Sequence, residues 1–98
     1  MKSNVVLGVV IGAISVYCPT GVGAVPAAAN VCVGCHGVQG ISASPLWPNL
    51  AGQKEEYLSK QLKDFKSGER KDPMMGPITA ALSEQDIQDL AKYFSQLK

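Results

Sequence analysis

Apolar residues recur at helical spacing in two stretches of this chain, and nowhere do they alternate as they would along a half-buried strand. Between Gln53 and Lys66, the side chains of Tyr57, Leu58, Gln61, Leu62 and Phe65 share one face. Glu55 and Glu56 stand at the start, Lys63 and Lys66 near the end, and Gly68 closes the run, so charge and punctuation agree with a helix whose apolar stripe is core. A second helix is predicted from Ser83 to about Lys98. There Ile87, Leu90, Ala91, Phe94 and Leu97 face inward, Asp89, Lys92 and Gln96 face water, and Ser83 with Asp86 three residues on forms a capping box. A third, shorter helix begins at Pro26 and runs through an alanine-rich segment to Cys35. Gly40 to Gly52, with its Pro, Ser and Asn residues around Leu46, Trp47 and Leu50, reads as a loop with apolar anchors. Glu69 to Pro77 reads as irregular, because Pro73, Gly76 and Pro77 oppose a regular element. The expectation is an all-α domain of about three helices and loops.

The first residues have a different pattern. Met1 and Lys2 precede an uncharged apolar run from Val5 to Val16, then Cys18, Pro19 and the small residues Gly21 to Ala24. This is the plan of a secretory signal peptide covering 1–24, with Val22 and Ala24 as the small side chains before the cut and Ala27 as the second cleavage choice. An uncleaved membrane anchor is the alternative, since the stretch from Ser3 to Asn30 carries no charge. Pro19 and four glycines dilute it, and its strongly apolar part falls short of the roughly twenty residues a span needs. Tyr17 directly before Cys18 is too large for a lipoprotein cleavage site, so no lipid anchor is expected.

Cleavage after Ala24 leaves one domain of 74 residues, 25–98, too small to bury an ample apolar core without a staple. Its eight basic and eight acidic residues balance, which excludes the basic footprint of a nucleic-acid binder. No phosphate-binding loop and no nucleophile paired with a second histidine is present, so an enzyme is not expected.

The staple is offered by Cys32-Val33-Gly34-Cys35-His36. Two thiols three residues apart on one helical turn point the same way and can reach the two vinyl groups of a porphyrin, while the adjoining imidazole can bind iron. A zinc site would need four ligands, and the chain has one histidine and one further cysteine, Cys18. A thiol oxidoreductase places its motif between strand and helix, and no strand surrounds this one. A disulfide within so short a loop would constrain little. Covalent attachment of a c-type haem is the reading that remains. Given a haem, the 40–52 loop would bury Leu46 and Leu50 against it and offer a carbonyl to His36, with Trp47 either core or at the haem edge. Met74 and Met75 would either fill a gap in the core or supply a sixth ligand.

The motif followed by Gly37, the run Pro48-Asn49-Leu50-Ala51-Gly52-Gln53, Tyr57-Leu58 with Gln61-Leu62 and Phe65, Gly68 with Arg70-Lys71, Met75, and Leu82-Ser83 with Asp86-Ile87, Leu90-Ala91 and Tyr93 together resemble class I cytochromes c. The likeness is nearest to the single-haem unit of the cytochrome c4 type and covers almost all of 25–98. It implies a small cytochrome c fold around one haem c, bound through Cys32 and Cys35, with His36 as proximal and Met75 as distal iron ligand, Met75 lying seven residues before Leu82. It implies that Pro48, with Pro45 as second candidate, accepts the hydrogen bond of His36, and that Arg70 lies near the propionates. The function implied is one-electron carriage between exported or membrane-bound redox partners in a bacterial periplasm, without nucleic acid. The alternative is a haem subunit, or a ligand-binding sensor domain, of a larger oxidoreductase system. Family members have more helix before the motif, which here is left with Val25 to Val31 if cleavage follows Ala24, so either that helix is truncated and its contact with Leu90, Ala91 and Phe94 is thin, or the segment 1–24 contributes to it.

Overall fold

The computed structural model describes residues 24–98; the proposed signal segment up to Gly23, Cys18 included, lies outside the described residues. A short 3-10 turn, Ala27–Ala29, leads into α1, Asn30–His36. Three helices follow: α2, Glu55–Ser67; α3, Met75–Ala80; and α4, Glu84–Gln96. Among the described residues every regular element is helical, as the hydrophobic pattern predicts.

Helix α4 is the centre of the packing. Its inward residues Ile87, Leu90, Ala91, Tyr93 and Phe94 are all buried, and α2 lies across it. Ser83 caps it as expected: the hydroxyl accepts from Asp86 N–H at 3.0 Å while the Asp86 carboxylate accepts from Ser83 N–H at 2.9 Å. Tyr93 and Phe94 meet edge to face, with ring centroids 5.1 Å apart.

The described segment before the motif, a single 3-10 turn ahead of α1, reaches α4. Ala29 is completely buried in the core with Leu90 and Phe94, and Ala28 packs against that cluster. Alanine side chains let the backbone of the 3-10 turn approach α4 closely.

Two boundaries differ from expectation. α2 begins at Glu55 and ends at Ser67, where Gly68 takes the left-handed conformation (φ 86°). The stretch expected to be irregular contains a helix, α3, of six residues. Gly76 and Pro77 do not prevent it because both lie in its first turn, where backbone N–H groups lack helical partners and a proline loses nothing. About three helices were expected; four are present among the described residues, the additional one beginning at Met75.

Candidate haem-binding site

Helix α1 holds the motif, with Cys32 buried and Cys35 half-buried, both as free thiols on the wall of one cavity. Burial pushes the Cys32 thiol from 9.0 up to about 11, so it stays neutral near pH 7. That is the opposite of what a redox-active cysteine requires, since attack on a disulfide needs a thiolate made accessible by a lowered pKa.

His36 ends α1 with 6% of its surface exposed. Its Nδ1 lies 2.8 Å from the carbonyl oxygen of Pro48. A carbonyl can only accept, so the neutral imidazole carries its proton on Nδ1 and keeps the lone pair of Nε2 for a metal. The carbonyl that meets His36 is that of Pro48; Pro45, the second candidate, lies in the same loop.

That loop is held by short polar side chains. Ser42 Oγ donates to the carbonyls of Ser44 at 2.9 Å and Cys35 at 3.3 Å, and Asn49 Oδ1 accepts from Ser42 N–H at 2.7 Å. Gly40 accepts from Leu50 and Ala51 N–H at 2.8 and 3.0 Å, which closes the loop and brings Pro48 back over His36. The chain can turn so sharply after His36 because residue 37 is glycine: its φ is 89°, and a Cβ there would run into the carbonyl oxygen of Ile41.

On another wall are Met74 and Met75. Met74 precedes α3 and is 48% exposed; Met75 is its first residue and is half-buried. Asp72 Oδ2 accepts the N–H groups of both, at 2.9 and 2.8 Å, and these bonds hold its carboxyl below the usual value of 3.8. Arg70 borders the cavity too, stacked over the Phe65 ring at 4.5 Å and donating to Gln61 Oε1 at 2.7 Å.

The cavity has a volume of about 380 Å³ and its lining is mainly apolar. Tyr57, Leu58, Gln61, Leu62 and Phe65 form one side of it, and Ile78, Leu90 and Phe94 contribute from α3 and α4. The α2 stripe expected to be plain core is therefore also a wall of the site. Periodicity reports that a face is covered without saying whether protein or a prosthetic group covers it, so no signal in the stripe alone could have separated the two. Leu46, Trp47 and Leu50 all border the cavity; Leu46 leaves 81% of its surface uncovered by protein, and Leu50 also packs on the core cluster. Two thiols, an imidazole with one nitrogen engaged, and a thioether on one apolar cavity are the donor set that a covalently attached haem needs, so the residues present fit the group.

Residues 23–98 match the cytochrome c family. The chain belongs to that family. Cytochrome c4 of Thiocapsa roseopersicina is 48% identical over 66 residues, which is 67% of this chain and 34% of the relative. The thiosulfate dehydrogenase electron acceptor of Stutzerimonas stutzeri is 42% identical over 69 residues, 67% of this chain and 32% of the relative. The crystal structure of reduced recombinant cytochrome c4 from Pseudomonas stutzeri superposes with a TM-score of 0.64 at 40% identity, covering 68% of this chain and 38% of that one. The match thus spans about a third of the length of these two relatives. Its cofactor is haem c, covalently bound and carrying iron.

Proposed function

We propose that this cytochrome c is a one-electron carrier holding a single haem between His36 and Met75. The observation that carries the reading is the 2.8 Å bond between His36 Nδ1 and the Pro48 carbonyl, which presets the imidazole as a neutral ligand beside the two cysteines. Cys32 and Cys35 anchor the porphyrin edge by thioethers. Met75 supplies the sixth ligand, with Met74 as the alternative. Arg70 sets a cation at the propionate end. When bound, the haem iron supplies a reversible one-electron couple. The apolar side chains of α2 and α4 keep water from one side of the site, which together with a methionine sulfur on the iron would favour the ferrous state. Were His36 and Met75 both to hold the iron, no position would remain there for a substrate, and no enzymatic step is assigned to the chain.

The segment 1–24 acts as the export signal in this reading, and 25–98 is the mature domain in a bacterial periplasm; the family match starting at residue 23 supports that division. Among the described residues no helix is long and apolar enough to cross a membrane. The partners are redox proteins, one donor and one acceptor. The name of the Stutzerimonas relative, an electron acceptor of a dehydrogenase, supports this class of partner and also the second reading, a haem subunit of a larger oxidoreductase system.

Protein made from the full chain in an export-competent host that attaches haem c tests the proposal. A mass equal to residues 25–98 plus one haem is expected, together with a low-spin visible spectrum that carbon monoxide does not change. A spectrum altered by carbon monoxide would reject the carrier in favour of a ligand-binding haem domain.

A further inference from the structure

We propose that Asp72 is a positioning residue for the sixth iron ligand: its carboxylate pins the first turn of α3 and so holds Met75 in the cavity. The inference rests on the reading of Met75 as that ligand.

A helix of six residues cannot hold itself in water, because nucleation costs more than so few bonds return. α3 is held from outside. At its start one oxygen of Asp72 accepts both Met74 and Met75 N–H, donors that helical geometry leaves without partners. Within it, the fully buried Thr79 hydroxyl bonds the carbonyl oxygens of Met75 at 2.7 Å and Gly76 at 3.1 Å. At its end the Lys66 ammonium, reaching over from α2, donates to the carbonyls of Ala80 and Leu82. Met75 therefore has both its N–H and its C=O engaged by side chains, and its backbone is the best-tethered point of the element. Met74 shares the Asp72 oxygen but stands outside the helix with an exposed side chain.

Among the described residues no side chain but Asp72 caps the first turn, and its loss would free both N–H groups together. The methionine would then leave iron more readily, and an added ligand would replace it at lower concentration.

Imidazole titration of the ferric holo-protein measures this, because imidazole binds only where the protein ligand has gone. Asp72→Ala should tighten the apparent imidazole Kd about tenfold, the equivalent of losing hydrogen bonds at one cap. Asp72→Asn, whose amide oxygen can accept the same two bonds, should stay within about threefold of the wild type. Ser83→Ala removes the comparable cap of α4, away from the methionines; it should lower Tm and leave the imidazole Kd unchanged. An Asp72→Ala protein with wild-type imidazole affinity, while Met75→Leu binds imidazole far more tightly, would overturn the positioning role and leave the ligand in place. Equal tightening in Ser83→Ala would also overturn it, as general softening of the fold. Wild-type affinity in Met75→Leu would overturn the ligand reading and the positioning role with it.

Discussion

From Ala24 to Gln53 the chain has no Asp, Glu, Lys or Arg, whereas from Lys54 to Lys98 it holds eight acidic and eight basic residues. The two regions are built by different means. The uncharged one has a single short α-helix and turns closed by Ser42, Asn49, Gly37 and Gly40; the charged one is three helices packed through apolar faces. Each brings different parts of the site. The first supplies both thiols, the imidazole and the carbonyl that orients it; the second supplies the thioether and most of the apolar wall. Val31, Val38, Ile41 and Leu46 are exposed on the first, with no charge in sequence near them. An attachment site must hold a few atoms in fixed geometry, which short hydrogen-bonded turns do well. A wall must exclude water over a wide area, which takes helices.

Breaking the first region at its chemistry should have the largest effect. The double substitution Cys32→Ala with Cys35→Ala should abolish covalent haem altogether, read as loss of peroxidase staining on a denaturing gel and loss of the haem increment in mass. Haem that survives denaturation in this variant would refute the attachment reading.

Breaking the second region at its wall should cost stability. Leu90 is 1% exposed and touches both the core and the cavity, so Leu90→Ala should destabilise the holo-protein by about 2–5 kcal/mol through lost burial and the void left behind. Denaturant titration of the haem absorbance would measure it. A loss below half the lower figure would mean that α4 is not the centre of the packing.

The turn after the histidine comes next. Gly37→Ala places a Cβ against the Ile41 carbonyl at positive φ, so it should cost about 1–3 kcal/mol and shift the spectrum, because the Pro48 carbonyl moves with that turn. Stability unchanged within error would show that the loop adapts freely.

Ser83→Ala should have the smallest effect, about 1 kcal/mol in the same denaturation, with an unaltered haem spectrum. A changed spectrum would show that the cap of α4 is coupled to the attachment region, which α4 meets through the bond from Gly52 N–H to the Phe94 carbonyl at 3.1 Å.

The legibility of these regions differs for the same physical reason. In α4 the hydrophobic period, the Ser83 cap and the inward set Ile87, Leu90, Ala91 and Phe94 can all be read directly, since a helix packed on protein writes its buried face at fixed spacing. The motif residues and the Pro48 carbonyl are legible as chemistry and by resemblance, and the structure brings the carbonyl to His36. α3 is hidden in the sequence because Gly76 and Pro77 argue against helix by propensity, while their placement in a first turn capped by Asp72 is a tertiary fact. The α2 stripe reads as core alone because apolar spacing cannot name what covers it.

Met75 is where the two regions would meet in function, as the ligand that the proposed carrier draws from the helical region for a haem attached to the uncharged one. The weak near-infrared sulfur-to-iron charge-transfer band of the ferric protein reports methionine ligation. The band should vanish in Met75→Ala and survive in Met74→Ala. Its survival in Met75→Ala, whatever Met74→Ala shows, would contradict Met75 as the ligand.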